Sequence, residues 1–223
     1  MVVLYHCVSA RSFRPLWMLE EMRAPYELRM LPFPPRQHQR SYLEINPLGT
    51  IPFLIDGDTR MTESAAMCQY LAERFDPHNV HGLAVRPHEP GYGAWLNGLH
   101  QGEATLTFPQ TLVLRYGRFE PDERKLPQVA EDYTKWFLSR LRWIDAALQD
   151  HEFLSAGRFT AADISVGYAL MLAGQLGLQA RMPDAVNAYW GRLQEREGYR
   201  RALDAQNAEA LAQGVSPRDA SVD

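Results

Sequence analysis

Along this 223-residue chain the spacing of apolar positions is that of strands near the start and that of helices later on. Val2-Val3-Leu4-Tyr5 is a short β-branched and aromatic run of the kind that forms a buried strand, and the polar Ser9-Ala10-Arg11-Ser12 breaks it. The period then becomes helical. Phe13, Leu16, Trp17, Leu19 and Glu20 to Met22 predict a helix that tolerates Pro15 in its first turn and ends at Arg23-Ala24-Pro25. Tyr26 to Met30 predicts a second strand. A strand, a helix and a strand within about 30 residues form a βαβ unit, expected to be parallel and right-handed.

The next elements differ. Ile51 to Ile55 and the weaker Thr59 to Met61 flank Asp56-Gly57-Asp58, a turn signal that makes them a hairpin. Thr62 to Phe75 reads as an amphipathic helix with Ala66, Tyr70, Leu71 and Phe75 on one side. Asp76 to Pro90 turns to His, Pro, Gly and Asn without a period, as a linker does. Strand signals then stop. Trp95 to Tyr116, Asp122 to Leu148, Thr160 to Leu172, Pro183 to Arg196 and Tyr199 to Leu211 are helical in period, and the last dozen residues are expected to fray. The order predicts a fold of class α/β plus all-α: a βαβ-ββα domain over residues 1–78, then an all-helical domain over 89–212, with no internal repeat.

Charge narrows the partners. Twenty-three basic against 27 acidic residues give a net charge of −4 without a long run of either sign, which argues against nucleic acid or an anionic membrane as the main partner. No stretch approaches the roughly 20 apolar residues of a spanning helix, and Met1 to Tyr5 reaches His6 without a preceding basic region, so the chain is expected to be cytoplasmic. Cys7 and Cys68 are too few for a disulfide framework and are not spaced as a metal site. The histidines are scattered, and no metal is expected.

Three local motifs carry more. Asn46-Pro47-Leu48-Gly49-Thr50-Ile51-Pro52-Phe53-Leu54 leads into the hairpin; Thr62-Glu63-Ser64 opens the next helix, with Glu63 eleven residues beyond Pro52; Phe159-Thr160-Ala161-Ala162-Asp163-Ile164 opens a helix in the second half. A helix start has unpaired N–H groups and a positive dipole end, which attracts a carboxylate. Thr160 to Asp163 has the spacing of a capping box, with Phe159 placed to staple onto Ile164 or its neighbours.

With the element order, these motifs resemble the cytosolic glutathione transferase family, of bacterial type, over nearly the whole chain. The resemblance implies a thioredoxin-like first domain, glutathione as co-substrate, a small hydrophobic electrophile as second substrate, and a homodimer. It implies a cis bond at Ile51-Pro52 that turns the Ile51 backbone outward to pair with the cysteinyl backbone of glutathione, with Thr50 beside it. Ser64 would hold the γ-glutamyl carboxylate and Glu63 the neighbouring ammonium. Gln37 or Gln39, in the polar loop Arg36-Gln37-His38-Gln39-Arg40, would reach the glycyl carboxylate.

The family favours the thiolate of bound glutathione, a thiol whose ordinary pKa is about 8.5. The donor that does this is sought between Tyr5 and Ser12, and there the sequence departs from the family's pattern. The position that is serine in the theta and delta classes falls on Ala10, which has no donor. Ser12, near the helix start, is preferred; Ser9, Arg11 and Tyr5 are the other candidates. The electrophile pocket is expected from the first long helix of the second domain, with Trp95, Leu99, His100 and Glu103. Trp95 and Leu99 also fit bundle core at helical spacing. A glutathione-dependent disulfide reductase, peroxidase or isomerase, or a non-enzymatic binding protein on the same fold, are the alternatives.

Overall fold

The computed structural model describes residues 1–216. By its internal contacts the chain forms two compact units, one of Met1–His81 with the chain from Glu195 onward, the other of Gly82–Gln194. The predicted boundaries counted the last helix with the helical domain; in the structure it packs on the N-terminal unit.

The N-terminal unit is built on four strands in the order β2-β1-β3-β4, with β1 Val2–His6, β2 Tyr26–Met30, β3 Phe53–Asp56 and β4 Thr59–Met61. β1 pairs in parallel with β2, from Val2 opposite Tyr26 to His6 opposite Met30, and antiparallel with β3, Tyr5 opposite Phe53. A parallel pair needs a crossover. Helix α1, Phe13–Met22, supplies it, ending where Arg23 enters the left-handed region and its N–H reaches the carbonyls of Glu20 and Leu19. The strand-helix-strand order and the hairpin are as the sequence predicts.

Side chains alternate across β1. Tyr5 joins Cys7, Leu31, Tyr42 and Phe53 in a buried cluster, with Val3, Ala10, Ile51 and Ile55 packed against it. His6 points to the other face, where the C-terminal helix α9, Glu197–Ala212, covers α1. Tyr199 packs edge-on to Phe13 and Trp17, with ring centroids 5.6 and 5.0 Å away. Arg196 donates to both carboxylate oxygens of Glu21 at 2.8 and 2.9 Å, and Trp17 Nε1 donates to the same carboxylate at 2.9 Å. Gly198 suits the close approach: a Cβ there would lie 2.5 Å from the Glu21 carboxyl carbon, and that side chain would have to shift. Of the tail expected to fray, residues 217–223 lie outside the described residues, but Gln213 is fixed: its amide accepts from Met30 N–H at 2.9 Å and donates to Leu28 C=O at 2.8 Å. It thereby occupies the open edge of β2.

Helix α3 spans Ser64–Phe75, two residues shorter at its start than predicted, and Glu63 takes the N-cap position in extended backbone. The polar loop at 36–40 is also more regular than predicted. Pro35–His38 forms a short helical turn, α2, and Arg40–Glu44 a 3-10 turn that buries Tyr42.

In the second unit one nearly continuous helical run begins with α4, Tyr92–Gln101, passes through a wide π turn at Gly102–Thr107, continues as α5, Phe108–Leu114, and ends in another π turn at Arg115–Phe119. Pro109 cannot donate to the helical ladder, and the widened turn precedes it; Thr107 Oγ1 donates to Gly102 C=O at 2.7 Å across that turn. Helix α6 is Pro127–Ala147, α7 Ala161–Gln175 and α8 Asp184–Gln194. The capping box predicted at Thr160 is present, with both reciprocal bonds. Phe159 packs edge-on to Phe153, with ring centroids 5.9 Å apart.

Asp163 organises this unit. Fully buried, its carboxylate accepts from Leu154 N–H at 3.0 Å, Thr160 N–H at 2.8 Å, Thr160 Oγ1 at 3.0 Å and Tyr189 Oη at 2.8 Å. Burial raises its pKa even against these donors. Asp163→Ala leaves several buried donors unpaired at once, so unfolding by denaturant is expected to show a loss of about 3–5 kcal/mol.

Candidate functional site

The register of β1 against β3 decides what meets at one end of the sheet. Because Tyr5 lies opposite Phe53, the chain leaving β1 and the chain entering β3 are neighbours, and Ala10 and Ile51 pack on the same cluster. The segment Ser9–Ser12 and the turn at Ile51-Pro52 are thus brought together.

The Ile51-Pro52 bond is cis. Ile51 stands outside the strand ladder, and its N–H and C=O take part in none of the backbone hydrogen bonds among the described residues. The turn before it is braced from below. Thr50 C=O accepts from Tyr42 Oη at 2.8 Å and from Asn46 Nδ2 at 2.8 Å, and Asn46 Oδ1 accepts from Leu48 N–H at 3.2 Å. Gly49 adopts φ +60°, and a Cβ there would lie 2.8 Å from Leu43 Cδ2 and 2.9 Å from Arg36 Cβ, so the motif's glycine answers both a conformational and a steric need.

At the start of α3, Glu63 is exposed and its C=O accepts the Met67 N–H at 2.9 Å, while Ser64 is buried. The Ser64 hydroxyl accepts from Arg14 Nη1 at 3.0 Å. Arg14 has no exposed surface, although it sits in the apolar run of α1. A guanidinium is placed behind the helix start, adding to the positive end of the α3 dipole. Sequence reading passed over Arg14. The signal available was an arginine between Phe13 and Pro15 in a helix with few other polar positions.

The thiol candidates divide by burial. Ser12 occupies the N-cap position of α1 in helical backbone and makes no capping bond; its hydroxyl accepts from Cys7 N–H at 3.3 Å and reaches Cys7 C=O at 3.5 Å, with no exposed surface. Tyr5 is core, its ring 5.5 Å from Tyr42 and 6.0 Å from Phe53. Ser9 and Arg11 are half-buried and remain accessible. Ser9 holds φ +57°, a conformation that L residues rarely adopt. Burial pushes the thiols of Cys7 and Cys68 up to about 12.

The remaining candidates are more dispersed. Gln37 and Gln39 are exposed on and beside α2. On α4, Trp95 and Leu99 have no exposed surface, His100 is exposed, and Glu103, in the π turn, is half-buried. Trp95 and Leu99 therefore stand with the core, and only His100 and Glu103 of that set reach the surface. Among the described residues no three His, Cys, Asp or Glu side chains are grouped to hold a metal ion. None of the helices among the described residues is long and apolar enough to cross a membrane.

Residues 4–79 match the family described as glutathione S-transferase, N-terminal domain. Over 172 residues the chain is 30% identical to glutathione S-transferase GstA of Escherichia coli O157:H7, covering 74% of this chain and 78% of that protein. A sphingomonad glutathione S-transferase solved with glutathione shares the fold with a TM-score of 0.77 at 23% identity, over 91% of this chain and 98% of that one. Ure2p5 from Phanerochaete chrysosporium, cocrystallized with 1-(S-glutathionyl)-2,4-dinitrobenzene, gives a TM-score of 0.79 at 23% identity, over 95% of this chain and 96% of that one. The chain belongs to the glutathione transferase family.

Two measurements probe this end of the sheet. Asn46→Ala removes one of two donors to Thr50 C=O and the acceptor of Leu48 N–H, with an expected cost of about 1–3 kcal/mol in denaturant unfolding. His6, at the end of β1, has no exposed surface, and burial holds its pKa down at about 4 against an ordinary 6.5. The unfolded chain then binds the proton more readily, so His6 leaves stability intact above about pH 6.5 and erodes it as pH falls toward about 4. The total is on the order of 3 kcal/mol. Unfolding of His6→Gln across that window is expected to show a shallower acid dependence than the wild type.

Proposed function

We propose that this chain is a glutathione transferase that binds glutathione on its N-terminal unit and directs the thiolate at a hydrophobic electrophile. The observation that carries the reading is the pairing of an Ile51 backbone outside the strand ladder, at a cis-proline turn, with a helix start backed by the buried Arg14 guanidinium. Ile51 N–H and C=O pair with the cysteinyl backbone of glutathione as an added strand would, alongside Thr50 and Pro52. Ser64 receives the γ-glutamyl carboxylate, where the α3 dipole and Arg14 both favour negative charge. Glu63, exposed beside it, meets the ammonium. Gln37 or Gln39 offers an amide to the glycyl carboxylate.

The thiol is stabilised as thiolate by donors of the Ser9–Ser12 segment. Ser9 and Arg11 are the accessible ones, whereas Ser12 serves in this way only if its hydroxyl leaves Cys7. The thiolate attacks the electrophilic carbon, a sulfur–carbon bond forms, and the leaving group departs with the bonding pair. His100 and Glu103 are the polar groups of the electrophile site on the helical unit of Gly82–Gln194, while glutathione belongs to the N-terminal unit. Conjugation is favoured over disulfide exchange by a cysteine of the protein, since both cysteines are buried thiols that resist ionisation. The same reading carries a cytoplasmic homodimer acting in detoxification.

Calorimetry with glutathione, paired with a chlorodinitrobenzene conjugation assay, tests this. Wild-type protein is expected to bind glutathione and form the conjugate. Ser64→Ala is expected to weaken glutathione binding about ten-fold, the loss of one hydrogen bond to a charged group. No heat of binding at millimolar glutathione would sink the reading.

A further inference from the structure

Gln206, in the middle of α9, is 2% exposed, and its side-chain oxygen lies 3.1 Å from Ser9 N and 3.0 Å from His6 Nε2. The protons on this junction can be assigned. A backbone N–H only donates, so the Gln206 atom facing Ser9 is its oxygen. His6 Nε2, against the same oxygen, must then carry the ring proton, which leaves Nδ1 without one in the neutral ring. One carbonyl oxygen therefore ties the end of β1 and the first residue of the segment behind it to the C-terminal helix.

We infer that Gln206 is a positioning residue for the glutathione thiol: by holding the Ser9 N–H it fixes the turn from which Ser9 and Arg11 present their donors. The inference rests on the transferase reading above. Ser9 carries a side chain at φ +57° where glycine would sit without strain, and the Gln206 bond helps to hold it there. The Ser9 bond to Gln206 spans 197 residues of sequence, so the geometry of the segment depends on a helix remote in the chain. The His6 bond fixes the amide's orientation, which keeps the oxygen rather than the nitrogen toward Ser9. Ser64 is held by Arg14 and Thr50, before Ile51, by Tyr42 and Asn46, so the thiol and the rest of glutathione are expected to respond separately to the loss of the Gln206 bond.

Gln206→Met keeps the volume and removes the acceptor. Titration of the ultraviolet thiolate absorbance of bound glutathione, with calorimetry on the same samples, reads both responses. The thiol pKa is expected to rise by about half to one unit, roughly three- to ten-fold less thiolate below the pKa, while the glutathione Kd stays within about two-fold. A purely structural role would lower the unfolding midpoint and leave the thiol pKa in place, and that result overturns the inference. Glu20 with Arg201 and Glu21 with Arg196 pair between α1 and the C-terminal segment, and the substitution leaves these charges and those of Arg11 and Arg14 unchanged. Should the methionine variant not fold, Gln206→Asn, one methylene shorter and still polar, is titrated instead, with a rise expected and an unchanged pKa again overturning the inference. Wild-type protein that shows no thiolate signal would overturn the transferase reading, and this inference with it; a wild-type signal with an unmoved variant overturns this inference alone.

Discussion

The pairing of β1 on both of its edges is the constraint from which the rest of the N-terminal unit follows. A five-residue strand that pairs in parallel with β2 and antiparallel with β3 has no free edge, and its side chains must be buried on both faces. Tyr5 opposite Phe53 sets the register, and a slip of one residue would turn Tyr5 and Val3 away from the Tyr42 cluster. With that register fixed, the exit of β1 and the entry of β3 must lie side by side. The Ser9–Ser12 segment and the Ile51-Pro52 turn become neighbours, with Ala10 and Ile51 packed on one cluster.

Burial on the second face imposes its own conditions. His6 cannot be hydrated there, so it is held neutral and bonded to Gln206; Arg14 cannot be hydrated either, and it bonds the Ser64 hydroxyl. His6 and Arg14 each link two elements far apart in sequence. The same logic runs through the second unit, where Asp163 gathers the loop at Leu154, the start of α7 and Tyr189 of α8. In one unit the buried polar groups lie beside the candidate glutathione site, and in the other they hold a helix start. Thiols and hydroxyls obey the rule as well: Ser12 spends its hydroxyl on the Cys7 backbone, which withdraws it from the surface where the sequence placed it.

Family membership and burial together separate the binding half of the chemistry from the reacting half. The groups proposed to hold glutathione stand on regular elements and braced turns: Ile51 beside Thr50, Ser64 bonded to Arg14. The groups proposed for its sulfur stand on a short irregular segment whose first residue is in the left-handed region. Functional groups on such segments take their precision from what packs beneath them.

By itself the sequence determined the order and type of the elements, because apolar period, turn residues and capping residues are local properties of the chain. Phe13–Met22, Tyr26–Met30 and the capping box at Thr160 could be read at their true places for that reason. It also located the Ile51-Pro52 turn and the start of α3 through motif spacing. Tertiary structure alone decided the rest. Whether Ser12 faces a ligand or Cys7, whether Trp95 lines a pocket or fills the core, and which unit claims α9 all depend on burial and on partners distant in sequence. Gln206 lies 197 residues beyond Ser9, and no local pattern encodes an acceptor across that separation; only packing α9 against α1 and β2 brings it there.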